Sequence, residues 1–118
     1  MIYQYSILKM VPDSWKNESF NYGLMVWSKD YSEWHVSMVD KPRLLSAYEG
    51  LYPKINFREV MTNEVEDWIA FFLNRADKTV EYWIERMYRG INQASKPAPI
   101  CSDSIEEAVI SIRKIFLE

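Results

Sequence analysis

The chain contains one histidine and one cysteine, the residue types best suited to acid–base or nucleophilic chemistry near neutral pH. A catalytic system would need His35 beside Ser37 or Cys101, together with an acid that orients the imidazole. No sequence signature supplies that arrangement, so we predict a surface or sheet-edge role for His35 and a half-buried thiol at Cys101. One histidine and one cysteine also cannot complete a structural zinc site.

An acidic cluster lies near the middle of the chain. Glu64 and Asp67 are three residues apart and share a helix face, with Glu66 between them and Glu59 just before. Two carboxylates can hold a divalent metal, but phosphoryl chemistry usually needs a third ligand and a lysine. Acids near a helix N-terminus are also expected from the helix dipole alone. We therefore predict a solvated helix face and no cofactor, with a small metal-dependent hydrolase or nuclease as the third functional hypothesis.

Basic residues gather later in the chain, around two predicted helices. The candidate nucleic-acid patch consists of Arg75, Lys78, Arg86 and Arg89. Basic side chains interleaved with aromatic rings, here those of Tyr82 and Tyr88, can bind along a nucleic-acid strand. However, Glu85 stands four residues before Arg89, and such pairs are typical of an ordinary helix surface. Nucleic-acid binding is therefore the second hypothesis.

Aromatic residues supply the leading hypothesis. They make up 15% of the chain, with five Trp and eight Tyr, which is more aromatic surface than a small core comfortably hides. Trp15 lies in a predicted polar loop, Trp27 opposite the main apolar face of its strand, and Tyr31 in a turn. Because Trp and Tyr are preferred interface anchors, we predict that these three residues bind another protein. Homodimerisation through the second sheet face is the simplest version, and burial of Trp27 beneath helices on both faces is the alternative.

Length and charge narrow the class of protein. The 118 residues are typical of one domain, and a net charge of −3 disfavours binding to the phosphate backbone of a nucleic acid. The lone cysteine cannot form an internal disulfide, and the sequence shows neither a signal-peptide pattern nor an apolar run of membrane-spanning length. We expect a soluble cytoplasmic protein with no membrane partner.

Three strands are predicted at 2–11, 19–28 and 34–39, and their short connections indicate an antiparallel meander. The central strand organises the chain because it is apolar on both faces and needs cover on both. One face is predicted to carry Phe20, Tyr22, Leu24 and Val26, and the other Met25 and Trp27.

Four helices are predicted after the meander. The first runs from an N-cap at Asp40 to Gly50 in the left-handed conformation. The second lies between 56 and 76, with its firm part beginning at a capping box near Asn63. The third is predicted to run from Val80 to about Ile91. The fourth is predicted to begin at a capping box within 102–107 and to end at Phe116. With Ile100–Cys101 as a short edge strand, the prediction is an α+β fold in which a small antiparallel sheet packs with about four helices.

Three landmarks resemble domain-of-unknown-function family 3037. The opening Tyr3-x-Tyr5-Ser6-Ile7-Leu8-Lys9-x-Val11-Pro12-Asp13 is similar to that family's first strand and turn. The Phe20-Asn21-Tyr22-Gly23-Leu24-Met25-Val26 segment resembles its second strand, with Tyr22 where a smaller β-branched residue is usual. The tail from Pro97 to Phe116 resembles its closing strand and helix. The resemblance implies a small bacterial or phage protein of a kind that accompanies another protein, and it brings no catalytic residues. Within the leading hypothesis of protein binding, a bacterial or phage regulator or inhibitor suits the size and charge of the chain.

Overall fold

The central strand lies within a five-stranded antiparallel sheet. The computed structural model describes residues 1–13, 16, 18–74, 78–87 and 90–118. Those residues form β1 (Ile2–Asp13), β2 (Glu18–Ser28), β3 (Trp34–Met38), α1 (Leu45–Leu51), α2 (Phe57–Leu73), α3 (Val80–Met87), β4 (Asn92–Ala94), β5 (Ala98–Cys101) and α4 (Ile105–Phe116). The predicted α+β class is therefore confirmed, as is the meander, because β2 pairs with both β1 and β3.

The far edge of β1 is covered by two short strands in succession. The strand order is β3-β2-β1-β4, and β5 also pairs with β1. β4 lies against Leu8–Met10 and β5 against Ile2–Tyr5. The predicted edge strand at Ile100–Cys101 is confirmed within β5. β4 was not predicted, because a three-residue polar strand has no period of its own and is defined only by its pairing with β1.

A β-bulge in β2 corrects the predicted faces of the central strand. Leu8 pairs with Gly23 and Lys9 with Asn21, so Tyr22 is the extra residue on the β2 side. A bulge adds one residue to a strand and reverses the alternation beyond it. Phe20 and Tyr22 therefore belong with Met25 and Trp27, and their predicted grouping with Leu24 and Val26 was wrong.

Helices of the same chain cover both faces of β2. On the bulged side its aromatic residues pack against α1, α2 and α3, whose buried side chains are Leu45, Tyr48, Phe57, Met61, Trp68, Phe72 and Val80. On the other side Leu24 and Val26 pack against α4 through Ile105, Ala108, Val109 and Ile112. The two-sided cover expected from the sequence is present.

The helix limits differ from their predictions for local reasons. α1 begins at Leu45, and Leu44 before it has a φ of 73°, so the predicted cap at Asp40 was wrong. Pro42 disfavours the helical conformation at the residue before it, which delays the helix. Gly50 lies inside α1, and neither it nor another described glycine has a positive φ.

α2 begins at Phe57, earlier than the predicted capping box near Asn63. Asn56 is its N-cap and accepts a hydrogen bond from the Glu59 N–H at 3.2 Å. The predicted end of α3 near Ile91 was wrong, because Gly90 and Ile91 are not helical; residues 88–89 lie outside the described residues. Ser104 caps α4 within the capping box predicted at 102–107, and its side chain accepts a hydrogen bond from the Glu107 N–H at 3.2 Å. Among the described residues, no helix combines the length and apolar character needed to cross a bilayer.

The bulge leaves no space for a side chain at Gly23, and we predict that Gly23→Ala destabilises the fold. A Cβ there would lie 2.7 Å from the Ser37 carbonyl oxygen and 3.1 Å from Leu8 Cδ1. Because the closest atom is backbone, the β2–β3 pairing must shift, at a cost of about 1–3 kcal/mol. Urea denaturation measures this loss.

Gly50→Ala is the matched control. A Cβ at Gly50 meets nothing within 4 Å. Since alanine is the better helix former, we expect a gain of about 0.5–1 kcal/mol. Equal effects at the two positions would contradict the proposed crowding at Gly23.

Candidate binding cleft

The three predicted partner-binding aromatics have different positions. Trp15 lies outside the described residues. Trp27 is only 2% exposed and packs on Phe72 at a ring-centroid distance of 6.0 Å. Tyr31 is half-buried, and together with Trp27 it lines a hollow of about 460 Å³. Partner binding by this set stays a prediction, but Trp27 belongs to the core, and α1, α2 and α3 cover its face of the sheet, which is the face proposed for homodimerisation.

Tyr31 connects the β2–β3 turn to the helices. Its backbone has a φ of 62°, and its hydroxyl accepts a hydrogen bond from the Val80 N–H at 3.3 Å. Its ring lies 6.5 Å from Phe71 and 6.1 Å from Phe72. The side chain therefore positions the start of α3 relative to α2.

An open cleft of about 830 Å³ lies where α2, α3 and the residues entering β4 meet. Its lining consists of Glu64, Asp67, Trp68, Phe71, Asn74, Lys78, Trp83, Arg86, Gly90, Ile91 and Asn92. The volume falls within the range of small-ligand pockets and is comparable to the grooves that receive a few side chains of a partner. Residues of both α2 and α3 therefore border one open cleft.

Aromatic side chains form the apolar part of the cleft. Trp68 and Phe71 meet edge to face, with centroids 5.5 Å apart and planes at 79°. Trp68 is 4% exposed, whereas Trp83 on α3 is 43% exposed. Trp83 is therefore the large cleft residue that a partner can reach without disturbing the core.

The predicted acidic cluster contributes two members to the cleft. The half-buried Glu64 and the exposed Asp67 line it, whereas Glu59 and Glu66 do not. Burial, followed by the charge of Asp67, raises the pKa of the Glu64 carboxyl. The buried indole nitrogen of Trp68 makes no hydrogen bond of standard geometry with the described residues, yet it lies near enough to Glu64 to oppose that rise.

Two members of the predicted basic patch also reach the cleft. Lys78 Nζ lies 4.2 Å from the centroid of the Tyr82 ring, and Arg86 Cζ lies 3.4 Å from it. Arg86 additionally donates to the Tyr82 carbonyl oxygen at 2.9 Å. In the described part of the chain no ion pair joins these bases to Glu64 or Asp67. Arg75 and Arg89 lie outside the described residues, so the nucleic-acid patch stays a prediction.

The bulge residue ties the cleft to the sheet. The Tyr22 hydroxyl donates to Asn92 Oδ1 at 2.9 Å, and Asn92 lines the cleft. Burial, and then the charge of Glu64, raises the pKa of the Tyr22 phenol. The acidic side chain of the cleft is thus close to the centre of the fold.

His35 and Ser37 lie on β3, where His35 Nε2 and Ser37 Oγ are 2.8 Å apart. Burial, then the charge of Arg113, lowers the pKa of the imidazole. The described residues place no acid in a hydrogen bond with the other ring nitrogen. The pair resembles two members of a catalytic triad without the third. Cys101 is exposed on β5, so the predicted half-buried thiol was wrong.

No group of three His, Cys, Asp or Glu side chains suited to a metal occurs within the described ranges. The cleft residues that the sequence did not assign to a site are Trp68, Phe71, Asn74, Trp83, Gly90, Ile91 and Asn92. Glu64, Asp67, Trp68 and Phe71 do recur at helical spacing, which was the available signal.

Comparisons with family models, curated proteins and solved structures found no match to this chain. The resemblance to family 3037 therefore stays a prediction.

Asp30 organises the turn that carries Tyr31, and we predict that it makes the fold sensitive to acid. Hydrogen bonds from the Ser32 hydroxyl, the Ser32 N–H and the Ser28 hydroxyl lower the pKa of Asp30 to about 2. A carboxylate with a depressed pKa contributes stability that is present above its unfolded pKa, about 4, and is lost as the pH falls through its folded pKa.

Unfolding of Asp30→Ala between pH 5 and about pH 2 measures this contribution. The variant should be less stable than wild type above pH 4, and the difference should shrink towards pH 2. Asp40→Ala is the control, since the exposed Asp40 side chain makes no hydrogen bond among the described residues. The prediction would be contradicted if the free energies of unfolding of wild type and Asp30→Ala changed in parallel between pH 5 and about pH 2.

Proposed function

We propose that this protein is a non-catalytic binding module that receives a segment of another protein in the cleft between α2 and α3. The observation that supports this proposal most strongly is that aromatic side chains line an open cleft of about 830 Å³. This keeps the predicted activity, protein binding through aromatic and acidic surface, and moves its location from the sheet face to the helices.

Three features of the cleft support a partner segment. Trp83 offers an exposed aromatic anchor, and Trp68 and Phe71 form an apolar corner beneath the rim. Interfaces use such a centre, in which a few aromatic residues provide most of the binding energy and polar groups surround them. An amphipathic helix that inserts its apolar face is the mode best suited to a groove between helices.

The mechanism of such a module is occlusion of the bound segment or restraint of the partner's conformation. A regulator or inhibitor of bacterial or phage origin would act in this way.

The two other functional hypotheses receive less support from the cleft. Lys78 and Arg86 lie against the Tyr82 ring and share the cleft with two carboxylates, so the described lining carries no net positive charge to attract phosphates. For a hydrolase, Glu64 and Asp67 lack a third potential metal ligand among the described residues.

Trp83→Glu should abolish partner binding, because it places a charge where the partner buries apolar surface. Wild-type protein and variant are each used for affinity capture from an extract of the native host. Proteins retained by wild type should be lost with Trp83→Glu, at least a tenfold reduction, since a single interface anchor contributes about 2 kcal/mol or more.

Ile110→Glu is the matched control. Ile110 is 56% exposed and lies on α4, across the sheet from the cleft. A photo-crosslinker at position 83 should form an adduct with the captured protein, and one at position 110 should not. Equal capture by Trp83→Glu and wild type would contradict the proposal.

A further inference from the structure

One of the two carboxylates of the cleft, that of Glu64, is held where a negative charge is costly. Glu64 is half-buried, and both its burial and the charge of Asp67 disfavour ionisation. No lysine or arginine of the described chain pairs with either acid. A half-buried acid beside a second acid is stabilised by a cation, and the described residues do not supply one.

The rings beside these acids suit a cation as well. Trp68 and Phe71 are almost perpendicular, and both line the cleft together with Trp83. The face of an aromatic ring, of tryptophan above all, attracts lysine, arginine and other organic cations. Aromatic faces combined with a carboxylate form the usual arrangement for binding an alkylammonium group.

The basic side chains of the cleft do not pair with its acidic side chains. Lys78 and Arg86 both lie over the Tyr82 ring, and Arg86 also donates to the Tyr82 carbonyl. An anion entering beside Glu64 would meet two like charges, and a neutral group would desolvate the carboxylates without compensation.

We propose that the Glu64–Asp67 end of the cleft is a subsite for a lysine or arginine side chain of the bound partner segment. This inference rests on the proposed function and adds the chemical class of group that the cleft recognises.

The test uses three small probes that share one apolar body: 4-phenylbutylammonium, 4-phenylbutanol and 5-phenylpentanoate. Each is titrated into the full chain while NMR follows the indole N–H signals of the five tryptophans. The cation should shift the Trp68 and Trp83 signals in a saturable way. Its dissociation constant should be about fivefold lower than that of the alcohol, as expected of one partly exposed charge pair. The anion should bind least, and added salt should reduce only the advantage of the cation.

Glu64→Gln/Asp67→Asn should remove the preference for the cation while leaving the alcohol's affinity unchanged. Because burial already disfavours the Glu64 charge, the Gln substitution should not weaken the fold, which urea denaturation checks. Glu106→Gln/Glu107→Gln is the control, since it removes the same charge from exposed positions on α4.

The proposal is overturned if the alcohol binds as tightly as the cation, if the double variant keeps the preference, or if no probe shifts the Trp68 and Trp83 signals. In each case, affinity capture and photo-crosslinking at position 83 test the proposed function independently. A cleft that captures a partner but does not prefer cations refutes the subsite alone.

Discussion

The rest of the structure depends on the need to cover β2 on both faces. All its residues from Tyr22 to Trp27 are buried, and Tyr22 itself is fully enclosed. Each large apolar side chain removed from water contributes about 1.5–3 kcal/mol, so neither face can be left exposed. The bulge at Tyr22 distributes the side chains of β2 unequally between the two faces of the sheet. The large aromatic residues face α1–α3, and the aliphatic Leu24 and Val26 face α4.

That unequal division creates the cleft. α4 fits its side of the sheet as one continuous helix with a regular apolar stripe. The other side has to enclose bulky rings, and it does so with three helices and the turn at Tyr31. Phe72 shows the result, as it stacks on Trp34 with centroids 5.4 Å apart and also contacts Trp27. Beyond this aromatic layer α2 and α3 border open space, and the unpaired acids of α2 reach it. A charge kept at the half-buried Glu64 lowers stability, a compromise that is common at binding sites.

The sequence predicted those features that depend on local periodicity. Alternation in β1 and β3, the apolar stripe of α4 and the capping box before it follow from the order of the residues. The bulge could not be predicted, because Phe20, Tyr22 and Leu24 alternate correctly until β1 imposes its register. Trp27 was assigned to a possible interface for the same reason: without the bulge it lies opposite Phe20 and Tyr22, and with it they share one core. The acids and bases of the cleft were identified separately, but their convergence depends on how α2 and α3 pack on the sheet.

The central claim is that the doubly covered β2 carries the stability of the fold, which leaves the cleft wall free to serve binding. Native-state amide hydrogen exchange tests it most directly. The account predicts that amides of Leu24–Trp27 exchange only through global unfolding, while those of α3 exchange through a smaller local opening. If α3 also exchanged only through global unfolding, the cleft wall would be part of the folding core and the account would be contradicted.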